Sequence, residues 1–434
     1  MIGPIEGDRP PFGAPPAEVL RRHDYVCEEF QLAGEAAAYA SPAGRPPPPD
    51  GRWDAVRYAV GAYRTRLLVV RPREAAAFNG TVLLNWQHVV GGVERPAPRG
   101  GEVYRGYAWV GVSAQMAGVY GLPRRRGNPA RGAPLLDADP QRYAHLRHPG
   151  EPASFDIFSA AADAVRSGHP GSPSPLGGLP VERIVAQGTS QAAMRLCAYV
   201  NAVHPMHSAV DGVLLSVWEG RAPRLDAADE LLHLRTTLRA DLDVPVLVVN
   251  SEFEVPGTAV LDLPDTELRR VWEVTGTPHA SVRAPGRPPA GEWGPNPLRW
   301  HPVHDAAIRA VHIWAADGVG PVVTPRITTT GRRPVTIVRD EGGNAWGGIR
   351  LPEIAVPIGE YRGRKGGTGR PPVFGGWRSY PEDAIRSRYR SRSDYVGRWA
   401  AALTDLVDTG LVLPEDADPM RGRGADVAAE LPLP

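Results

Sequence analysis

Lysine is almost missing from this chain: Lys365 is the only one among 49 basic residues. It lies late, in a Gly/Arg-rich loop, so catalysis by a serine–lysine pair is excluded. The preference for arginine, with abundant Ala, Gly and Pro, reads as the codon bias of a GC-rich bacterial genome and carries no mechanism. Cysteine is nearly as scarce. Cys27 and Cys197 are too few for a disulfide framework or a structural zinc site. Charge of one sign is absent too, because 49 basic against 48 acidic residues leave a formal net charge of +1. That argues against the basic footprint of a nucleic-acid binder. No apolar run approaches the ~20 residues that span a bilayer. Residues 1–8 carry neither the basic nor the apolar region of a secretory leader. The expectation is a cytoplasmic protein that binds neither nucleic acid nor membrane.

Turn-formers, by contrast, are plentiful. The 49 Gly and 47 Pro gather in short stretches at 45–51, 95–101, 168–178, 284–291 and 362–372. Each stretch separates better-patterned segments and reads as a surface loop. An apolar share of 42% excludes a disordered chain. At about 150 residues per domain the length alone suggests roughly three domains, but the pattern suggests one enlarged domain. Short continuous apolar runs at 81–86, 107–113, 184–188, 212–216 and 244–249 suit strands buried on both faces. Helices are expected at 155–165 and 191–203, the second with Ala193, Leu196, Val200 and Val203 on one side. This alternation predicts an α/β fold, a mainly parallel central sheet with helices on both faces.

Residues 1–75 read as a β-rich N-terminal segment with one or two strands over 58–70. Residues 76–320 read as the core, and 321–434 as an extension packed on it. In that extension Ser393 or Asp394 is expected to cap a helix striped by Val396, Trp399, Leu403, Leu406 and Val407, with Gly410 stopping it. The preceding Arg386, Arg388, Arg390 and Arg392 read as a solvated surface.

The densest chemical signal is Gly188-Thr189-Ser190-Gln191-Ala192, where a buried strand meets an amphipathic helix. A sharp strand-to-helix turn exposes a serine Oγ at the sheet edge and needs small flanking residues. The Gln191 backbone N–H then lies at the helix N-terminus, where it can stabilise an oxyanion. The bland alternative is a helix-capping serine. A general base and its orienting acid would follow in the order acid, then histidine. After the run at 244–249 stand Glu252 and Glu254; the spacing from the strand end favours Glu254, and either could instead cap a turn. His279 ends a strand and small-residue loop at 271–279, the place for a catalytic histidine. His301 and His304, expected just before a helix starting near Asp305, and His312 within it are accounted for by capping and packing. A metal pair at 301 and 304 lacks a third ligand. A second oxyanion donor is expected from the glycine-containing loop 86–92, at Gln87 or His88. His88 and Trp86 could also line a pocket.

These stretches, with 78–82, 107–115, 199–205, 342–352 and 380–418, make the chain resemble the alpha/beta hydrolase domain family over most of its length. The resemblance implies a serine hydrolase fold in which Ser190, an acid at 252 or 254, and His279 match the triad. The sequence departs from the family at His88, where Asn is expected, and at Glu254, where Asp is expected. The implied reaction is hydrolysis of a carboxylic ester, lactone or thioester of a small acyl substrate, with no cofactor and no metal. Acyl transfer or ring closure on the same triad, or a non-catalytic binding protein, are the rivals. Residues 216–243 are expected to cover the site, with Trp218 and Glu219 touching substrate.

Overall fold

The computed structural model describes residues 1–5, 7–122, 133–167, 174–227, 233–282, 288–289, 291–368 and 370–434. The loops expected at 168–178, 284–291 and 362–372, and the covering segment 216–243, each fall partly outside the described residues. The chain packs as two units, Met1–Val246 with Val311–Val319, and Leu247–Ala310 with Gly320–Pro434.

In the first unit a long hairpin, β1 (Tyr25–Ala40) and β2 (Val56–Pro72), is followed by β3 (Thr81–Trp86), β4 (Ala108–Val112), β5 (Arg183–Thr189) and β6 (Gly212–Ser216). Their order is β1-β2-β4-β3-β5-β6. β2 runs antiparallel to β1 and β4, whereas β3 is parallel to β4 and β5, and β5 to β6. Helix α1 (Ser154–Ser167) leads into β5, and α2 (Gln191–Ala202) crosses from β5 to β6. The parallel strands are buried on both faces, as their unbroken apolar runs predict. α1 contributes Phe155 and Phe158 to the core, where they meet Trp86 of β3 at ring-centroid distances of 5.7 and 4.8 Å.

The second unit holds β7 (Val246–Ser251) next to β8 (Arg269–Val274). Residues 321–434, expected as an extension of the core, share this unit with β7 and β8, and Ile349 forms a parallel bridge to Val274. Helix α3 (His301–Asp317) starts four residues before the expected Asp305, because Pro302 at its second position already has helical φ and needs no N–H partner. His301 and His304 are therefore inside the helix. Helices α4 (Arg392–Asp408) and α5 (Pro414–Ala429) close the chain. The cap of α4 is Ser391, whose side chain accepts from the Asp394 N–H, and not Ser393 or Asp394. Its buried stripe is Tyr395, Trp399, Leu403 and Leu406. Trp399 packs with Ile354, Tyr361 and Trp377 and donates to the Met420 carbonyl at 3.0 Å. Gly410, at φ 72, follows the helix as expected. Among the described residues no helix is long and apolar enough to cross a membrane.

Candidate active site

Ser190 stands at the turn from β5 into α2 with φ 57 and ψ −116. A non-glycine residue in that region is strained by roughly 1–3 kcal/mol, and it persists only where its surroundings impose it. Two contacts impose it here. The Ser190 N–H donates to the Ser216 carbonyl at the end of β6 at 2.8 Å, and the Ser190 carbonyl accepts from Met194 at 3.1 Å. Gly188 allows the turn to close, since a Cβ there would lie 2.8 Å from the Ala192 carbonyl oxygen. Ser190 precedes the helix yet makes no side-chain bond to the first turn, which removes the capping-serine reading. Ser216 is followed by Val217 at φ 47, so strained residues flank both ends of the Ser190–Ser216 bond.

Gln191 is the first residue of α2, where backbone N–H groups have no intrahelical acceptor and the helix dipole favours negative charge. Its side chain ties the elbow to the 86–92 loop. Gln191 Oε1 accepts from the Val89 N–H at 3.3 Å, and Nε2 donates to Gln115 Oε1 at 3.0 Å. Gln115, fully buried, also accepts from Trp86 Nε1 at 3.1 Å. Sequence reasoning missed Gln115; its local signal is a polar residue three positions after a buried strand.

The loop departs from expectation in three ways. The Gln87 backbone N–H donates to the Val112 carbonyl at 3.2 Å, continuing the β3–β4 ladder, and so cannot serve an oxyanion. Gly91 and Gly92, at φ 66 and 80, form the tight turn of a small hairpin pairing Val90 with Val93. Trp86 is wholly buried against Phe155, Phe158 and Tyr199 and is a core residue, not a pocket wall. His88, two residues further on, is half-buried, its carbonyl accepting from the Arg95 N–H at 3.1 Å.

The second unit carries the candidate acid and histidine. His279 Nδ1 lies 2.6 Å from Glu254 Oε1. The other oxygen, Oε2, accepts from the Ser251 N–H at 3.0 Å and the Ser251 hydroxyl at 2.5 Å. A carboxylate oxygen accepts from Nδ1–H, and in the neutral ring with its proton on Nδ1 the lone pair is on Nε2. The Glu254 side chain is 0% exposed and that of His279 19%, so the acid is sealed while the imidazole reaches solvent. Glu252 is bound elsewhere. Its carboxylate accepts from Arg339 at 2.8 Å, Gly363 N–H at 3.1 Å and Gly276 N–H at 2.9 Å. It thereby braces the loop that carries His279. That loop is further held by Asn296, which donates to the Gly276 carbonyl at 2.7 Å. Ser251 and Asn296 were not anticipated, because their partners are fixed only by tertiary contact.

Of the remaining candidates, Trp218, His301, His304 and His312 have packing or hydrogen-bond partners. Trp218 is fully buried, its indole donating to the Arg221 carbonyl at 2.7 Å, and so does not line a pocket. Glu219 is half-buried on the loop after β6. Further along, Thr237 and Arg239 are bonded to Asn201 at 2.9 and 3.0 Å. Asn201 lies at the end of α2, about 16 Å from Ser190 at 1.5 Å per residue, so this part of the expected cover packs beside the helix's far end. His301 stacks on Trp300, and burial lowers its pKa. His304 meets the same indole edge-on and is pushed down to about 3, chiefly by burial. His312 bonds Thr81 Oγ1 at 2.7 Å. Among the described residues no group of three or more His, Cys, Asp or Glu could hold a metal ion.

Residues 2–421 match the family described as the alpha/beta hydrolase domain. No curated protein matches the chain. Among solved structures it is similar to a brefeldin A esterase described as a bacterial homologue of human hormone-sensitive lipase (16% identity, 45% of this chain and 40% of that one, TM-score 0.23). Similar too are esterase Est22 (12% identity, 54% and 66%, TM-score 0.27) and a prolyl endopeptidase (13% identity, 58% and 35%, TM-score 0.28). The chain thus spans less than two thirds of the length of each.

Proposed function

The protein belongs to the alpha/beta hydrolase domain family, and from that premise we propose that it is a serine hydrolase acting on a carboxylic ester, thioester or lactone through Ser190, His279 and Glu254. His279 Nε2 takes the Ser190 proton while Oγ attacks the carbonyl carbon. The bond to the leaving group then breaks, and that group departs with the proton from Nε2. Water, deprotonated by the same nitrogen, attacks the acyl-enzyme and releases the acid, and Ser190 regains its proton. The oxyanion of each tetrahedral intermediate is held by the Gln191 backbone N–H and, in place of Gln87, by that of His88. The acid of the triad is Glu254, because Glu252 is engaged by Arg339 and two backbone N–H groups.

The observation that carries this reading is the strained elbow at Ser190, φ 57 without a capping bond, in a chain that also pairs Glu254 with His279. Strain of this kind is retained where function requires it. The test is covalent labelling with a fluorophosphonate and turnover of aryl esters. Wild type labels at Ser190 and hydrolyses the ester; Ser190→Ala does neither. Labelling that survives Ser190→Ala, or turnover indifferent to His279→Ala, would overturn the triad.

A further inference from the structure

The segment 362–378 is rich in cations and presses on the His279 loop from two sides. Gly363 sits so close that a Cβ would lie 2.6 Å from the Thr277 carbonyl, 2.7 Å from the Glu252 Cβ and 2.7 Å from the Phe253 nitrogen. On the other side the Ala280 N–H donates to the Val373 carbonyl at 3.0 Å. The position of residue 364 is therefore set by its neighbour's fit against both the acid loop and the histidine loop. The Arg364 guanidinium lies over the Phe253 ring at 5.1 Å, and the same ring meets the His279 imidazole at 5.4 Å.

Charge balance separates Arg364 from its neighbours. Arg362 and Arg378 share the Glu360 carboxylate, and Arg339 holds Glu252. Lys365 donates to the Gly366 carbonyl and lies over Trp293. Arg364 is exposed, and among the described residues no carboxylate neutralises it. An aromatic platform limits the guanidinium's freedom without cancelling its charge. The planar fork is then available to a carboxylate in two-point contact.

We propose that Arg364 selects substrates bearing a carboxylate besides the scissile carbonyl, so that the physiological ester is an anion. The inference rests on the triad reading, since Arg364 shares the Phe253 ring with the histidine of that triad. A charge-assisted hydrogen bond of this type changes kcat/KM by about 10- to 100-fold.

The experiment compares each anionic ester with a neutral partner of the same size on one enzyme sample, so the ratio of kcat/KM values does not depend on the active fraction. In one arm the carboxylate is on the acyl side, as an aryl hemiglutarate against its methyl ester. In the other it is on the alcohol side, as 4-acetoxybenzoate against methyl 4-acetoxybenzoate. Arg364→Gln is expected to lower the anionic-to-neutral ratio about 10- to 100-fold in one arm, with Arg364→Lys restoring part of it. Arg370→Gln, which removes a charge from the same segment, is expected to leave the ratio near wild type. The arm that responds identifies the side bearing the carboxylate. A ratio unmoved in both arms, or falling equally in Arg370→Gln, overturns the inference while ester turnover through Ser190 stands. Loss of the triad reading would instead appear as absent labelling of Ser190 in wild type.

Discussion

Glu254 meets His279 at 2.6 Å, while Glu252, two residues earlier, meets Arg339 at 2.8 Å. The two carboxylates face different partners and should fail differently. In Glu254→Gln one amide oxygen must serve both His279 and Ser251, and the negative charge opposite a forming imidazolium is gone. The expected loss in kcat is about 10³- to 10⁴-fold. Glu252→Gln instead leaves Arg339 without its counter-charge, costing about 2 kcal/mol of stability with only a small change in kcat. Rates and urea midpoints measured side by side check this; the opposite pattern would reassign the acid.

The strain at Ser190 has a thermodynamic signature. Glycine adopts φ 57 without a Cβ penalty, whereas alanine retains it. Ser190→Gly should therefore exceed Ser190→Ala in stability by about 1 kcal/mol, after allowing for glycine's greater entropy when unfolded. Both variants are inactive, so the comparison isolates the backbone. Equal midpoints in urea at equal m-values would show that the elbow stores no such strain.

Gln115 joins Trp86 to Gln191 through one carbonyl oxygen. Gln115→Leu strands two donors and loosens the loop that flanks the elbow. A drop in kcat of about 10-fold is expected, with KM changed less. Stopped-flow measurement of acylation would detect it. An effect confined to thermal stability would limit Gln115 to packing.

Burial also makes the protein acid-sensitive. His304 titrates at about 3 instead of 6.5, because its charged form would be desolvated; His148 and His301 are lowered in the same direction. When a histidine's folded pKa lies below its unfolded one, the unfolded chain binds protons that the folded chain refuses. Above 6.5 this term vanishes. As pH falls from 6.5 toward 3, His304 costs stability at up to about 1.4 kcal/mol per pH unit. His304→Gln should flatten the slope of unfolding free energy over that interval, and an unchanged slope would refute the assignment.

Much of the frame is readable along the chain because it is local. The apolar runs became β3 to β6 within a residue or two, and the 3- and 4-residue spacing after Ser190 became α2. Helix ends were less legible: Ser391 takes the cap expected of Ser393 or Asp394, since a cap depends on where the preceding backbone enters. Pocket residues were least legible. Trp86 and Trp218 have the composition of ligand contacts, yet burial of their indoles in the core stabilises each by an amount no exposed ring could match.

The sequence by itself determined the elbow. Gly188, Ser190 and Ala192 lie within one strand–turn–helix, and their steric requirement is met or broken inside five residues. Only the tertiary structure decided what each polar group faces. That Glu254 and not Glu252 reaches His279, and that Val112 takes the Gln87 N–H, depends on how segments about 25 residues apart in sequence are brought into register. Hydrogen bonds act over about 3 Å, so two acids only two positions apart can have wholly different partners.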